Sequence, residues 1–174
     1  MKKVPIASYA TYAIFIAWLA LDMWSKAWVE GHLNFPGGTR YDLPMSMPFL
    51  VPGYFALTHV KNTGGAWSVL AGHVPVLALV AGIVAVFILA YERNQERPTW
   101  WQALGLGLLL AGTLGNFVDR VRFGHVTDMF DLQWNYRNIF PIFNIADIGI
   151  DVGIGILLVF SAIASAREKR RRRT

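Results

Sequence analysis

Gly112-Thr113-Leu114-Gly115-Asn116-Phe117-Val118-Asp119-Arg120 closes one strongly apolar segment, and Phe143-Asn144-Ile145-Ala146-Asp147 opens the next, with Asp151 one helical turn further on. With Asp128 in the connection, a set of acids and amides lies within or between two stretches that otherwise read as membrane-spanning. A charged side chain at bilayer depth costs at least about 2.5 to 3.5 kcal/mol, so an acid there marks a functional site by default. Asp119 and Asp131 fit equally well as ordinary polar residues of watery loops. Asn144 and Asp147 fit that reading less well, because both open an apolar helix.

The rest of the chain supports a membrane setting. Of its 174 residues, 55% are hydrophobic and only 16% charged, far from the make-up of a soluble domain. A hydrocarbon core of about 30 Å needs roughly 20 residues of helix. Four runs meet that length, at about 6–29, 69–91, 99–118 and 142–164, so the expected fold is an all-α membrane protein forming a single integral-membrane domain over residues 1–174. Met1-Lys2-Lys3 before the first run begins as a secretory signal does, but no small-residue cleavage site follows and the run continues through Asp22, Lys26 and Trp28, which favours a retained helix. The chain has no cysteine, which excludes disulfides and a thiol oxidoreductase.

If the helices alternate, Lys2, Lys3, Arg93, Arg97, Arg167, Lys169 and Arg170 to Arg173 share one side, which the excess of positive charge makes the cytoplasm. Both termini are then cytoplasmic, and most carboxylates fall toward the outer face. The net charge of +5 belongs to this topology rather than to nucleic-acid binding. The tail 165–174 suits either anionic lipid head groups or a plain topology anchor.

Along the chain, Asp22 and Lys26 stand at i, i+4, where acid and base can meet on one helix face. Such a pair either serves a site or simply lets the helix insert. Trp18, Trp24 and Trp28 include expected interface anchors. Residues 31–68 change character: Pro36, Pro44, Pro48 and Pro52 punctuate them, Gly37-Gly38 marks a turn, and Tyr54 to Lys61 reads as a strand with shorter extended pieces near Arg40 and Phe49. Backbone of this kind cannot face lipid, so a small sheet at the outer interface is expected. The segment Asn62-Thr63-Gly64-Gly65-Ala66 suits either a close backbone approach or a plain turn. His73 and Pro75 read as cap and kink of the second helix.

Gly107, Ala111 and Gly115 repeat every four residues and allow close helix approach, as do Gly149 and Gly153 in the last helix. The third and fourth helices should therefore pack with their polar tips adjacent, and 119–141 should form an outer loop. Four scattered histidines make a zinc site a poor reading, and no serine elbow is present. Two carboxylates sharing a proton remain. In such a dyad the ionised acid activates water while the neutral one polarises a carbonyl, which is aspartic hydrolysis. A proton-relaying transporter subunit, or another non-catalytic four-helix module, would use the same acids, but the inner halves of the helices offer almost no polar relay.

Leu21-Asp22-Met23-Trp24-Ser25-Lys26, Lys61-Asn62-Thr63-Gly64, Gly112 to Arg120, Gly124-His125-Val126-Thr127-Asp128 and Phe143 to Asp147 together resemble the bacterial lipoprotein signal peptidase family, signal peptidase II. The likeness runs over essentially the whole chain, with the motifs in order. It implies an intramembrane aspartic endopeptidase of the inner membrane, cutting prolipoproteins before a diacylglyceryl-modified cysteine. Its catalytic acids match Asp128 and Asp147, and its substrate-binding or site-shaping positions match Asp22, Lys26, Asn62, Gly112, Asn116, Asp119, Arg120, Asn144 and Ala146. It further implies a sheet cradle within 31–68 and a short outer helix within 129–140. Membrane lipids and prolipoproteins are the expected partners, with no nucleic acid, no metal and no cofactor, and a monomer is expected. Two departures stand out: Gly65-Ala66-Trp67 replaces an expected Ala-Ala-Phe, and Asp151 is an acid that the pattern does not call for. Asp151 is expected to be deeper than Asp147, bonded or protonated among apolar residues. Its change to Asn should keep cleavage within about tenfold.

Overall fold

The computed structural model describes residues 6–33, 49–65, 67, 69–95 and 98–172. The expectations for Lys2, Lys3, Pro36, Gly37-Gly38, the extended piece near Arg40, Pro44, Pro48, Ala66, Arg97 and Arg173 fall outside them. Four long helices, α1 (Ile6–His32), α2 (Val74–Arg93), α3 (Trp100–Phe123) and α4 (Ile145–Arg171), carry the chain. Three of them, α2, α3 and α4, are long and apolar enough to cross a membrane. Over its described residues α1, although it has 27 residues, is not in that group.

At one end of the bundle lies a small antiparallel sheet of β1 (Phe49–Val51), β2 (Phe55–Asn62) and β3 (Val126–Trp134), extended by the two-residue β4 (Arg137–Asn138). The strand expected at 54–61 is present as β2. The outer loop expected at 119–141 and the short helix expected within 129–140 are not: β3 and β4 form a hairpin there, turned by Asn135 and Tyr136 at φ 49° and 62°. Val126 to Trp134 is rich in β-branched and aromatic residues, and pairing with β2 supplies the hydrogen bonds that a helix would otherwise make for itself.

Helix limits move for local reasons. The second helix starts at Val74 rather than 69, because Leu70 and Gly72 adopt left-handed φ of 55° and 82°. Pro75 sits in its first turn, where a missing N–H costs nothing; His73 precedes the helix without a side-chain cap bond. The third helix runs five residues beyond the expected end and stops at Gly124, whose φ of 72° provides a left-handed C-cap.

The central element is α3, which packs on α1, α2 and α4, whereas α2 and α4 scarcely meet. The small residues allow this, but not as one seam. A Cβ at Gly107 would lie 2.8 Å from the Thr11 carbonyl oxygen of α1, whereas one at Gly105 would lie 2.7 Å from Leu157 of α4. A Cβ at Gly153 would in turn meet the Gly105 carbonyl at 2.7 Å. The 107/111/115 stripe thus begins on α1, and an offset set of glycines receives α4.

Candidate active site

Local folding rules place the polar residues. Asn144 is the N-cap of α4 and Asp147 its third residue, and the two close a reciprocal capping box: Asp147 N–H donates to Asn144 Oδ1 at 2.9 Å, and Asn144 N–H donates to Asp147 Oδ2 at 3.1 Å. Asn-x-x-Asp ahead of an apolar run is the sequence signal for this box. Asp128 comes from β3, opposite Val60, and Asn62 from the end of β2. The strand pairing therefore brings Asn62 to Asp128, and its Nδ2 donates to Asp128 Oδ2 at 2.9 Å.

Two amides connect the acids. Asn144 Nδ2 donates to Asp128 Oδ1 at 2.6 Å and to Asn116 Oδ1 at 3.2 Å. Asn116 Nδ2 donates to Asp147 Oδ1 at 2.8 Å. Asp128 and Asp147 are thus held through Asn144, whose side chain orients one carboxylate and whose backbone N–H orients the other. Burial, and after it the nearby Asp147 carboxylate, pushes the Asp128 carboxyl up to about 7, against the opposing donation from Asn62 and Asn144.

Beneath this pair is a buried ionic layer. Lys26 Nζ lies 2.8 Å from both Asp22 Oδ2 and Asp119 Oδ2, and 3.2 Å from Asn116 Oδ1. Asp22 Oδ1 accepts from the Ala146 N–H at 2.8 Å, tying α1 to the first turn of α4. Asp119, which the sequence left open as a loop residue, belongs to this layer. Gly112 lets α4 approach: a Cβ there would collide with the Ala146 carbonyl oxygen and lie 2.8 Å from Ile150 Cγ1. Arg120 donates to the Gly64 carbonyl at 2.8 Å and to the Asn116 carbonyl at 3.3 Å, clamping the β2–α2 connection to α3. Asn62 Oδ1 accepts from the Gly64 N–H at 2.8 Å, so this connection approaches the site closely rather than merely turning past it.

All eleven expected site residues lie in or beside this assembly. Three contacts were not foreseen. Thr127 donates to Glu30 at 2.7 Å, securing β3 to α1 next to Asp128. Trp18, expected among interface anchors, donates to the Ile145 carbonyl at 3.0 Å, while Trp24 is exposed. Asp131 accepts from Gln133 and Asn138, away from the pair. Asp151 also departs from expectation, since it is exposed and makes no hydrogen bond or ion pair with a described residue.

The acids open into a cleft of about 870 Å³ between α2 and α4, floored by α3 and roofed by Trp67 and Phe140, whose rings meet edge-on at 5.9 Å. One polar end and long apolar walls suit an amphipathic chain rather than a small polar ligand.

Comparison with known proteins gives a consistent result. Residues 14–163 match the profile of the family described as Signal peptidase (SPase) II. A lipoprotein signal peptidase of Enterococcus faecalis is 37% identical over 92% of this chain and 90% of its own. That of Lactococcus lactis subsp. lactis is 36% identical over 98% of this chain and 100% of its own. Among solved structures, a bacterial membrane enzyme determined by the in meso method at 2.3 Å superposes with a TM-score of 0.76 over 90% of each chain, at 24% identity, a likeness of fold.

Proposed function

Because the chain belongs to the signal peptidase II family, a family of bacterial membrane peptidases, we propose that it is an aspartic endopeptidase that cuts prolipoproteins before the diacylglyceryl-modified cysteine. The observation that carries this reading is the pair Asp128 and Asp147, held through Asn144 at the polar end of an apolar cleft.

In this mechanism the pair holds one proton and one water. The ionised acid takes a proton from the water as its oxygen attacks the scissile carbonyl, and the neutral acid donates its proton to the developing oxyanion. Collapse of the tetrahedral diol breaks the C–N bond: the proton held by the first acid passes to the leaving amine, and one hydroxyl proton of the diol returns to the second acid, restoring the pair with its one proton. Burial supports a shared proton, since Asp128 titrates near 7 rather than in the ordinary carboxylate range. Asn62, Asn116 and Asn144 hold the two carboxylates in place, and Arg120 fixes the wall along which substrate backbone passes.

All four helices cross the membrane in this reading, with the Asp22–Lys26–Asp119 charges of α1 and α3 neutralised against each other. The sheet end faces outward and the basic end of α4 faces the cytoplasm. The acyl chains of the substrate lie along the apolar cleft walls, which sets the depth of the cysteine. Purified protein in detergent or lipid is incubated with a diacylglyceryl-modified prolipoprotein and with its unmodified form, and product masses locate the cut. The expected result is one cut, before the modified cysteine only. No shortened product in several detergents and lipids, with the protein folded, would overturn the reading.

A further inference from the structure

Asp151 has no role in the reaction above, and its surroundings give it no structural one. It lies four residues beyond Asp147, about 6 Å along α4, and lines the same cleft. It is exposed there and bonded to no described residue, so it fastens no helix to another. At its level the cleft is walled by Val80, Ala81 and Val84 of α2, Leu109 of α3 and Ile154 of α4. The nearby Thr113 hydroxyl already donates to the Leu109 carbonyl at 2.7 Å. Asp151 is therefore the one uncommitted polar side chain among these described walls. An acid at such depth is costly to hold and marks function rather than packing.

The occupant of this part of the cleft follows from the proposed peptidase reading, on which the present inference rests. A substrate cut at the Asp128–Asp147 pair must lead its signal segment away along α4, past Asp151. A distance of about 6 Å equals about two residues of extended chain or four of helix. We propose that Asp151 is a specificity residue, accepting a hydrogen bond from a serine, threonine or asparagine side chain two to four residues before the scissile bond. Such a donor would otherwise be unpaired in an apolar cleft, so its partner decides whether it is tolerated.

The test uses lipidated substrates carrying serine or alanine at the second, third or fourth residue before the cut. The ratio of kcat/KM for serine over alanine is measured in wild type, Asp151→Leu and Asp151→Asn. At one position the wild-type ratio should exceed that of Asp151→Leu by threefold or more, with Asp151→Asn between them because it keeps one acceptor oxygen. Asp151→Ala supplies the same ratio should the leucine variant fail to purify. Ratios that are equal in wild type and variants at all three positions would overturn this inference alone. Failure of the wild type to cut any of the substrates would overturn the peptidase reading as well.

Discussion

Substituting alanine for Gly112 should disable the site through a single methyl group. The new Cβ would overlap the Ala146 carbonyl oxygen and approach Ile150 N at 3.0 Å and Ile150 Cγ1 at 2.8 Å, whereas ordinary contact begins at 3.4 Å. Ile150 could change rotamer, but the Ala146 carbonyl is backbone in the first turn of α4 and can yield only if the helix retreats, on the order of 1 Å in a close-packed interior. Asp147 is the next residue, and it would move away from Asn116 and Asp128. A misplacement of that size costs roughly 10²-fold in rate, and the overpacking about 1 to 3 kcal/mol in stability. Gly155→Ala is the control, because nothing lies within 4 Å of its added carbon. Cleavage of a lipidated substrate and thermal unfolding in detergent are measured for both. Gly112→Ala should lose about two orders of magnitude in kcat and several degrees in Tm, with Gly155→Ala near wild type. Wild-type rate and Tm in Gly112→Ala would refute the claim that this contact sets the depth of Asp147.

Cleavage against pH should be bell-shaped, its alkaline limb near 7, where the pair loses its shared proton; a flat profile in folded protein would contradict this. The raised Asp128 value also has a stability sign: its contribution is fully present below about 4 and is lost as pH rises through about 7. Asp128→Asn has no such loss, so its Tm relative to wild type should rise between pH 4 and pH 8, as differential scanning fluorimetry would read. Lys26→Met should lower stability by about 3 to 5 kcal/mol by leaving Asp22 and Asp119 buried and unpaired, and adding Asp22→Asn and Asp119→Asn should restore part of it.

Much of the site was legible because its residues are costly where they stand. Asn144 and Asp147 opening an apolar run, and Asn116, Asp119 and Arg120 closing another, required tips packed together, and α3 and α4 do pack with these residues joined. The hairpin of β3 and β4 was hidden because its turn is Asn135-Tyr136, without the glycine that usually marks positive φ. Its pairing partner β2 lies some 70 residues earlier, beyond any local pattern. The start of α2 was hidden for the opposite reason: Val69 to Ala71 are as apolar as the helix itself, and only backbone conformation separates them. The third helix was cut short because its last turn is polar, although Gly124 marked the true end. The setting of Asp151 depends on α2 and α4 standing apart, which the periodicity of neither helix encodes.

The central claim is that Asp128 and Asp147 perform the cut together. Asp128→Asn and Asp147→Asn are assayed beside wild type on one diacylglyceryl-modified prolipoprotein, with folding checked by thermal unfolding in the same detergent. Each amide is nearly isosteric but cannot exchange the proton, so both variants should be folded and neither should yield detectable product. A folded Asp128→Asn or Asp147→Asn protein that cuts at a rate within tenfold of wild type would contradict the account.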